Sequence, residues 1–415
     1  MIVSALVLPL LVSPVQSQAP SVVSEPHPIE AGGRASKHVI LFQSGLSARP
    51  WNIEANNTYA HIDGLPFDGF LYNLPVSWHL FEGEYGFFDE SAIESQFGGL
   101  DFSFEHVTHN YVPIYIRRRT QSPESGDFFD AAAWDTNVAQ MRALARVARR
   151  PEFQCDGIFF DNEEYFERVW NYPDDVLYGA TISLEEYRAK ARERGRQLME
   201  ALVSEWPQAR VIAAHGPYVS APEADDPSAD AVTMNQVGSS SQHELLGPFL
   251  IGMLEAARFP GQLIDGGEVY QLRTPSEFEF NYCWRKFTMA QSAIVPPAQQ
   301  GLAWSYPLSI SHGVYPLSWP DPVADLMTPT IMESTLANAL DRADHLVWMF
   351  SEGELDFLVP GGAPPEWLQA IAAGREAGAS SVGWPYNGAS AFVGAGSLPP
   401  LPVPAGVQAM LGCGN

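Results

Sequence analysis

Cysteine is scarce in this chain of 415 residues: there are three, Cys155, Cys283 and Cys413, with no C-x-x-C pair among them. An odd count at such spacing excludes a disulfide framework and a zinc ribbon. The apolar surroundings of Cys155 and Cys283 point to buried thiols rather than nucleophiles. Positive charge is scarce too: 23 Lys and Arg stand against 49 Asp and Glu, a net charge of −26. Phosphate recognition needs a cationic surface, so nucleic acid and anionic membranes are not expected partners. After the first residues the chain never runs to the roughly 18 consecutive apolar residues of a membrane span, so no membrane insertion of the mature chain is expected. G-x-G-x-x-G and G-x-x-x-x-G-K-[ST] are missing, which removes the usual nucleotide signals; no cofactor is expected. H-E-x-x-H and EF-hand loops are also missing, so no metal motif is read, and no G-x-S-x-G elbow supports serine hydrolase chemistry.

What is present begins with an apolar run in residues 1–19 that passes into small and polar residues at Ser17-Gln18-Ala19. This resembles a secretory signal peptide and implies a secreted or periplasmic protein. Residues 20–36 are polar with Pro and Gly and read as a linker, 37–378 as one large domain, and 379–415 as a Gly/Pro/Ser-rich tail. Hydrophobic residues make up 46% of the chain, enough for one sizeable core.

Within 37–378, short apolar runs alternate with amphipathic stretches. Candidate strands are His38–Gln43, Asp68–Asn73, Tyr111–Arg117, Gly157–Asp161, Arg210–Ala214, Gln262–Asp265, Leu308–His312 and His345–Phe350. The intervening segments carry helix signals. Ser183 and Glu186 form a capping box ahead of Leu184, Tyr187, Ala191, Leu198 and Leu202, and Pro207 ends that helix. Thr274-Pro275 and Thr328-Pro329 open two more, and Trp134, Val138, Met141, Leu144 and Ala148 mark a fourth. Strands alternating with helices give right-handed crossovers and a parallel sheet. Eight such units predict an α/β protein with a (β/α)8 TIM barrel, the alternative being an open doubly wound sheet.

Active sites of such barrels lie at the C-terminal strand ends, so polar residues there are the candidates. Strand 2 ends in Tyr72 and Asn73, with Trp78 beyond; strand 3 in Tyr115 and Arg117; strand 4 in Asp161, Glu163 and Tyr165. Strand 5 ends in His215, strand 6 runs to Asp265, Glu268 and Tyr270, strand 7 gives His312 and Trp319, and strand 8 gives Trp348 and Glu352. Side chains alternate along a strand, so Phe159, Asp161 and Glu163 share one face. Crowded carboxylates in a partly dry site push each other's proton affinities apart, as glycosidic hydrolysis requires of its acid and its second carboxylate. Asp265 and Glu268 differ in parity and face the same way only if the Gly266-Gly267 pair breaks the strand.

The strand 4 segment, Asp156-Gly-Ile-Phe-Phe-Asp161-Asn-Glu163, resembles the chitinase-type signature D-G-x-D-x-D-x-E of glycoside hydrolase family 18. Asp156, Gly157, Asp161 and Glu163 match it, and Phe159 stands where that family has Asp. The resemblance implies Glu163 as proton donor and Asp161 as the neighbour that orients the substrate. The chain also resembles secreted bacterial proteins with a glycosidase-like barrel, through Asp161-Asn-Glu163-Glu-Tyr165, Glu185-Glu186-Tyr187 and Ser351-Glu352. The expectation is a glycoside hydrolase acting on a poly- or oligosaccharide. Glu163 would be its general acid, Asp161 the orienting group or nucleophile, and Glu268 and Glu352 candidates for the second carboxylate. Tyr72, Asn73, Trp78, Tyr115, Arg117, Tyr165, His215, Tyr270, His312, Trp319 and Trp348 are the candidate sugar contacts. A non-catalytic carbohydrate-binding barrel and a metal-dependent barrel hydrolase are the alternatives.

Overall fold

A computed structural model describes residues 37–76, 80–81, 88–98, 104–115, 127–163, 169–220, 243–288, 308–316, 327–353 and 355–380. The expected signal peptide, linker and most of the expected tail lie outside the described residues, as do Trp78, Arg117, Tyr165 and Trp319.

Among the described residues nine short strands form the barrel wall: β1 His38–Gln43, β2 Gly69–Phe70, β3 Asn110–Tyr115, β4 Cys155–Asp161, β5 Arg210–Ala213, β6 Leu263–Asp265, β7 Ser309–Ile310, β8 Gly313–Val314 and β9 Leu346–Ser351. All pairings are parallel, in two runs ordered β2-β1-β9-β8 and β3-β4-β5-β6-β7. Two seams join the runs. A bridge between Leu71 and Tyr111 links β2 to β3. β7 and β8 are halves of one stave, interrupted at Ser311 and His312, whose backbone still bonds both neighbours: the Ser311 N–H donates to Asp265 O at 2.8 Å and His312 O accepts from the Trp348 N–H at 3.1 Å. The staves therefore close into a (β/α)8 barrel, the predicted fold. The expected strand at 308–312 is corrected by this break.

The α-helices are α1 Pro50–Asn56, α2 Tyr59–Asp63, α3 Glu90–Phe97, α4 Ala131–Ala148, α5 Leu184–Glu205, α6 Leu246–Ala256, α7 Pro275–Cys283, α8 Pro329–Arg342 and α9 Pro365–Ser380. Four of them, α4, α5, α7 and α8, follow their sequence signals. The Ser183–Glu186 and Thr274–Glu277 capping boxes both form, satisfying first-turn N–H groups that no helical carbonyl can reach. Thr328 caps α8, with Pro329 in its first turn. Among the described residues no helix is long and apolar enough to cross a membrane.

The period of two divides the wall residues between two cores. Ile40, Leu71, Tyr111, Phe159, Ile212, Ala214, Ile264, Leu346 and Trp348 pack together inside the barrel. The alternate residues, among them Leu41, Phe70, Val112, Phe160, Val211, Ala213, Leu263, Val347 and Met349, join the helices in the larger outer core. This partition decides which strand-end side chains reach the mouth. Cys155 and Cys283 are free, and burial raises both thiols, Cys283 to about 11, in keeping with a packing role.

Candidate active site

Phe159 is inside the barrel, so Asp161, two residues on, ends β4 on the inner face, and Glu163 follows at the mouth. Asn162, of opposite parity, is fully buried and grips the neighbouring strand. Its Nδ2 donates to His215 O at 2.7 Å, and its Oδ1 accepts the His215 N–H at 2.9 Å. This two-point clasp fixes the exits of β4 and β5 relative to one another, and with them the carriers of Glu163 and His215.

Beyond β6 the chain does break at the glycine pair. Gly267 has φ +56, the left-handed region in which glycine is unstrained. The turn reverses the parity problem: Asp265 stays among outer-layer groups, while the Glu268 N–H donates to Ala214 O at 3.0 Å and its side chain comes alongside His215.

Three staves thus deliver one constellation. His215 Nε2 lies 3.4 Å from Glu163 Oε1 and 4.0 Å from Glu268 Oε2. One donor atom from each of the three residues falls within 4.8 Å of the others. His215 Nδ1 faces the Tyr218 hydroxyl at 3.3 Å, and the Tyr270 hydroxyl donates to Glu268 Oε1 at 2.7 Å. Burial works against a charged His215, but the two glutamates and Asp161 outweigh it and raise its pKa to about 9. Burial and then the charge of Glu163 raise Glu268 to about 7; His215 and the Tyr270 hydroxyl oppose that shift. Near neutrality the imidazole is therefore cationic and the Glu268 carboxyl is at its midpoint. Asp161 is almost fully buried beneath the cluster, its Oδ1 facing the Glu163 N–H at 3.4 Å. Tyr115, opposite it in register on β3, is raised well above its ordinary value by burial and then by the Asp161 charge.

An aromatic wall borders this group. The Tyr270 ring is 5.3 Å from Tyr315, 5.9 Å from Trp348 and 6.3 Å from Phe350, and Phe42 packs on Phe350 at 5.3 Å. Glu352 accepts a hydrogen bond from Tyr315 at 3.0 Å, and the Tyr315 ring packs on Tyr270, whose hydroxyl bonds Glu268. Glu352 lies outside the Glu163–His215–Glu268 group, so of the two candidates for the second carboxylate it is Glu268 that stands beside Glu163.

Three expected sugar contacts are corrected, Tyr72 and His312 by the same alternation and Trp348 by its burial. Tyr72 points into the outer core, against Phe70 and Phe97, and its hydroxyl donates to Phe153 O at 3.1 Å. His312 is fully buried on the outer side, between Arg285 and the ring of Phe278; burial and then the Arg285 charge push its pKa well below the ordinary value. Trp348 does face inward, but it is sealed under the mouth, with Nε1 donating to Gly266 O at 2.8 Å, and offers no open ring face. Asn73 is half-buried and spends its amide on Gly45 O at 2.7 Å, bracing the loop after β1. Asn162, Tyr218, Arg285, Tyr315 and Phe42 were not among the expected site residues. Asn162, Tyr218 and Tyr315 carry a sequence signal, as polar or aromatic residues at or just beyond the ends of strands 4, 5 and 7.

Glu163, His215 and Glu268 supply two carboxylates and an imidazole, a donor set that suits one divalent cation of the zinc or manganese class.

No family model matches this chain. No curated protein matches it either. Solved structures similar to it include an exo-β-1,4-mannosidase from an Opitutaceae bacterium, at 11% identity over 83% of this chain and 60% of that one (TM-score 0.47). They also include a GH5_18 protein from Streptomyces cattleya in complex with GlcNAc (12%, 83% and 80%, TM-score 0.46). A GH10 endoxylanase from a sugarcane soil metagenome is a third (11%, 82% and 98%, TM-score 0.43). The chain spans about three fifths of the mannosidase's length.

Proposed function

We propose that the protein is a glycoside hydrolase in which Glu163 and Glu268 are the working carboxylates. The observation that carries this reading is the pairing itself: two carboxyls from different staves meet at the barrel mouth, and burial plus mutual repulsion hold one of them, Glu268, protonated up to about pH 7. Glu268 then acts as general acid and Glu163 as the charged partner, an exchange of the role that the sequence suggests for Glu163. One oxygen from each carboxyl lies within 4.8 Å of the other, and we assign the pair a double displacement, the course associated with carboxyl groups about 5–5.5 Å apart.

In the first step Glu163 forms a bond to the anomeric carbon. The bond to the leaving oxygen breaks, and that oxygen takes the Glu268 proton. Water then attacks the anomeric carbon as Glu268 takes its proton back, and the Glu163–sugar bond breaks. Cationic His215 keeps Glu163 ionised between turnovers and, held by Tyr218 and the Asn162 clasp, keeps the two acids apart. Phe42, Tyr270 and Phe350, half-buried at the rim, offer apolar ring surface for the C–H face of a pyranose.

A panel of neutral, amino and acidic oligosaccharides tests this reading. Hydrolysis that is lost in both Glu163→Gln and Glu268→Gln, with the first-formed sugar keeping its anomeric configuration, is the expected result. Full turnover by either variant overturns the assignment. A second reading, a metal-dependent hydrolase, draws on the same three donors. Activity lost on chelation and restored by a divalent ion would select it, and unchanged activity would remove it.

A further inference from the structure

Behind the site lies a buried ion pair that the proposed chemistry does not use. Arg285, just past the C-terminus of α7, is completely buried, as is Asp265, and Arg285 NH1 meets Asp265 Oδ1 at 2.8 Å. The guanidinium also donates to Asp265 O at 3.3 Å and to Ser311 O at 2.6 Å, with Asn281 Oδ1 at 2.8 Å from Nε and His312 Nδ1 at 3.0 Å from NH2. The same Asp265 Oδ1 accepts the Gly267 N–H at 3.0 Å.

Two further facts connect this pair to Glu268. A Cβ on Gly267 would stand 2.1 Å from Arg285 NH1, so the guanidinium is pressed against the turn backbone itself. A Cβ on Gly216, the residue after His215, would stand 2.1 Å from Asp265 Oδ2, an oxygen without a hydrogen-bond partner among the described residues. The pair thus fills the space between the exits of β5, β6 and β7 and touches the backbone on either side of the His215–Glu268 contact. Taking two charges out of water carries a desolvation cost, and here it is met by a full set of hydrogen bonds that runs to the turn and to the neighbouring strand exits.

We infer that Arg285, through Asp265, is a positioning residue that holds the Gly266–Gly267 turn in the one conformation aiming Glu268 at His215 and Glu163. The inference rests on the reading of Glu268 as a working carboxylate, but its geometry can be tested without any turnover. Arg285→Met strands a buried carboxylate, so the folded test protein is the double variant Arg285→Met/Asp265→Asn, in which neither charge remains.

Hydrogen exchange of the full chain is compared with its melting temperature. The double variant should melt within a few degrees of the parent, yet exchange the Gly267 and Glu268 amides at least tenfold faster, while amides of β4 and β5 keep their protection. Arg285→Lys, which retains the charge for Asp265 but not the second arm to Ser311, should fall between. On a hydrolysed glycoside, kcat should drop ten- to a hundredfold with KM within threefold, and Arg285→Lys should recover part of it. A folded double variant with parental protection at 267–268 overturns the inference, as does one that loses protection evenly through the barrel. Loss of protection at 267–268 in a protein without glycosidase activity leaves the positioning intact and rejects the hydrolase reading instead.

Discussion

The two ends of the barrel both carry histidines and carboxylates, and they treat them in opposite ways. At the N-terminal end Asp68 and Asp156 are each met by basic partners. Asp68 meets Arg375, accepts the Val39 N–H at 2.8 Å and lies 3.9 Å from His38; Asp156 accepts from His109 at 2.7 Å. Burial opposes ionisation of Asp68, yet His38, the Val39 N–H and Arg375 win and its pKa is lowered. Burial likewise opposes a charged His109, yet the hydrogen bond to Asp156 raises it. At the C-terminal end one histidine serves two glutamates, with Asp161 below. Matched charges settle into fixed ionisation states and contribute to stability, whereas a surplus of acids leaves one carboxyl close to half-protonated at neutral pH. The N-terminal cluster stabilises, and under the proposed function the C-terminal cluster keeps a proton ready for transfer.

The sharpest way to break this comparison is to remove an acid at the mouth. Glu268→Gln should lower kcat by about 10²–10⁴-fold, the usual worth of a positioned proton-transfer group, and Glu163→Gln, which removes the attacking carboxylate, by at least as much, in steady-state assays on a hydrolysed glycoside. Both variants should fold. Next comes pH. Glu268 is raised from 4.5 to about 7, so its protonated form carries the acid role below about 7 and loses it as the pH rises through that value. The kcat profile should therefore fall on its alkaline side near pH 7. The same shift makes the neutral carboxyl the favoured folded form, so its stability contribution is complete below 4.5 and fades through about 7. Glu268→Gln should gain stability relative to the parent at pH 8 in chemical denaturation.

A smaller effect is expected from Trp348→Phe, which deletes the hydrogen bond to Gly266 O and leaves that carbonyl unpaired at about 1–3 kcal/mol of stability. Its kcat should drop less than tenfold. Smallest for activity is His109→Gln at the opposite end. The His109–Asp156 pair is about one-third exposed, so its loss should cost about 0.5–1 kcal/mol. Because the His109 pKa is raised, that cost is complete below pH 6.5 and vanishes as the pH climbs through the raised value; kcat should not change.

Much of this architecture is legible in the sequence, and for a physical reason. β1 covers the expected His38–Gln43, and the other staves overlap their expected segments, because a wall stave buried on both faces is a short apolar run bounded by polar residues. Alternation puts Asp161 and Glu163 on the face of Phe159, and the inner packing of Phe159 decides that this face is the inward one. Alternation also misleads at strand ends, where every second polar residue faces the helices: Tyr72 and His312 lie on that side, and nothing local marks it. Glu268 depended on whether two glycines would bend the chain, which the sequence poses as a condition and the Gly267 conformation resolves. Arg285 left no trace, since its partners Asp265, Ser311 and His312 are 20 or more residues away and its own surroundings read as a helix end.

The most direct measurement is an NMR titration of the Glu268 side-chain carboxyl in the parent and in Glu163→Gln. The account predicts a midpoint near 7 in the parent, moving down toward 4.5 when the neighbouring charge is removed, though burial keeps it from falling the whole way. A parent midpoint at about 4.5, or one unmoved by Glu163→Gln, would show that the two acids do not share a site and would contradict the account.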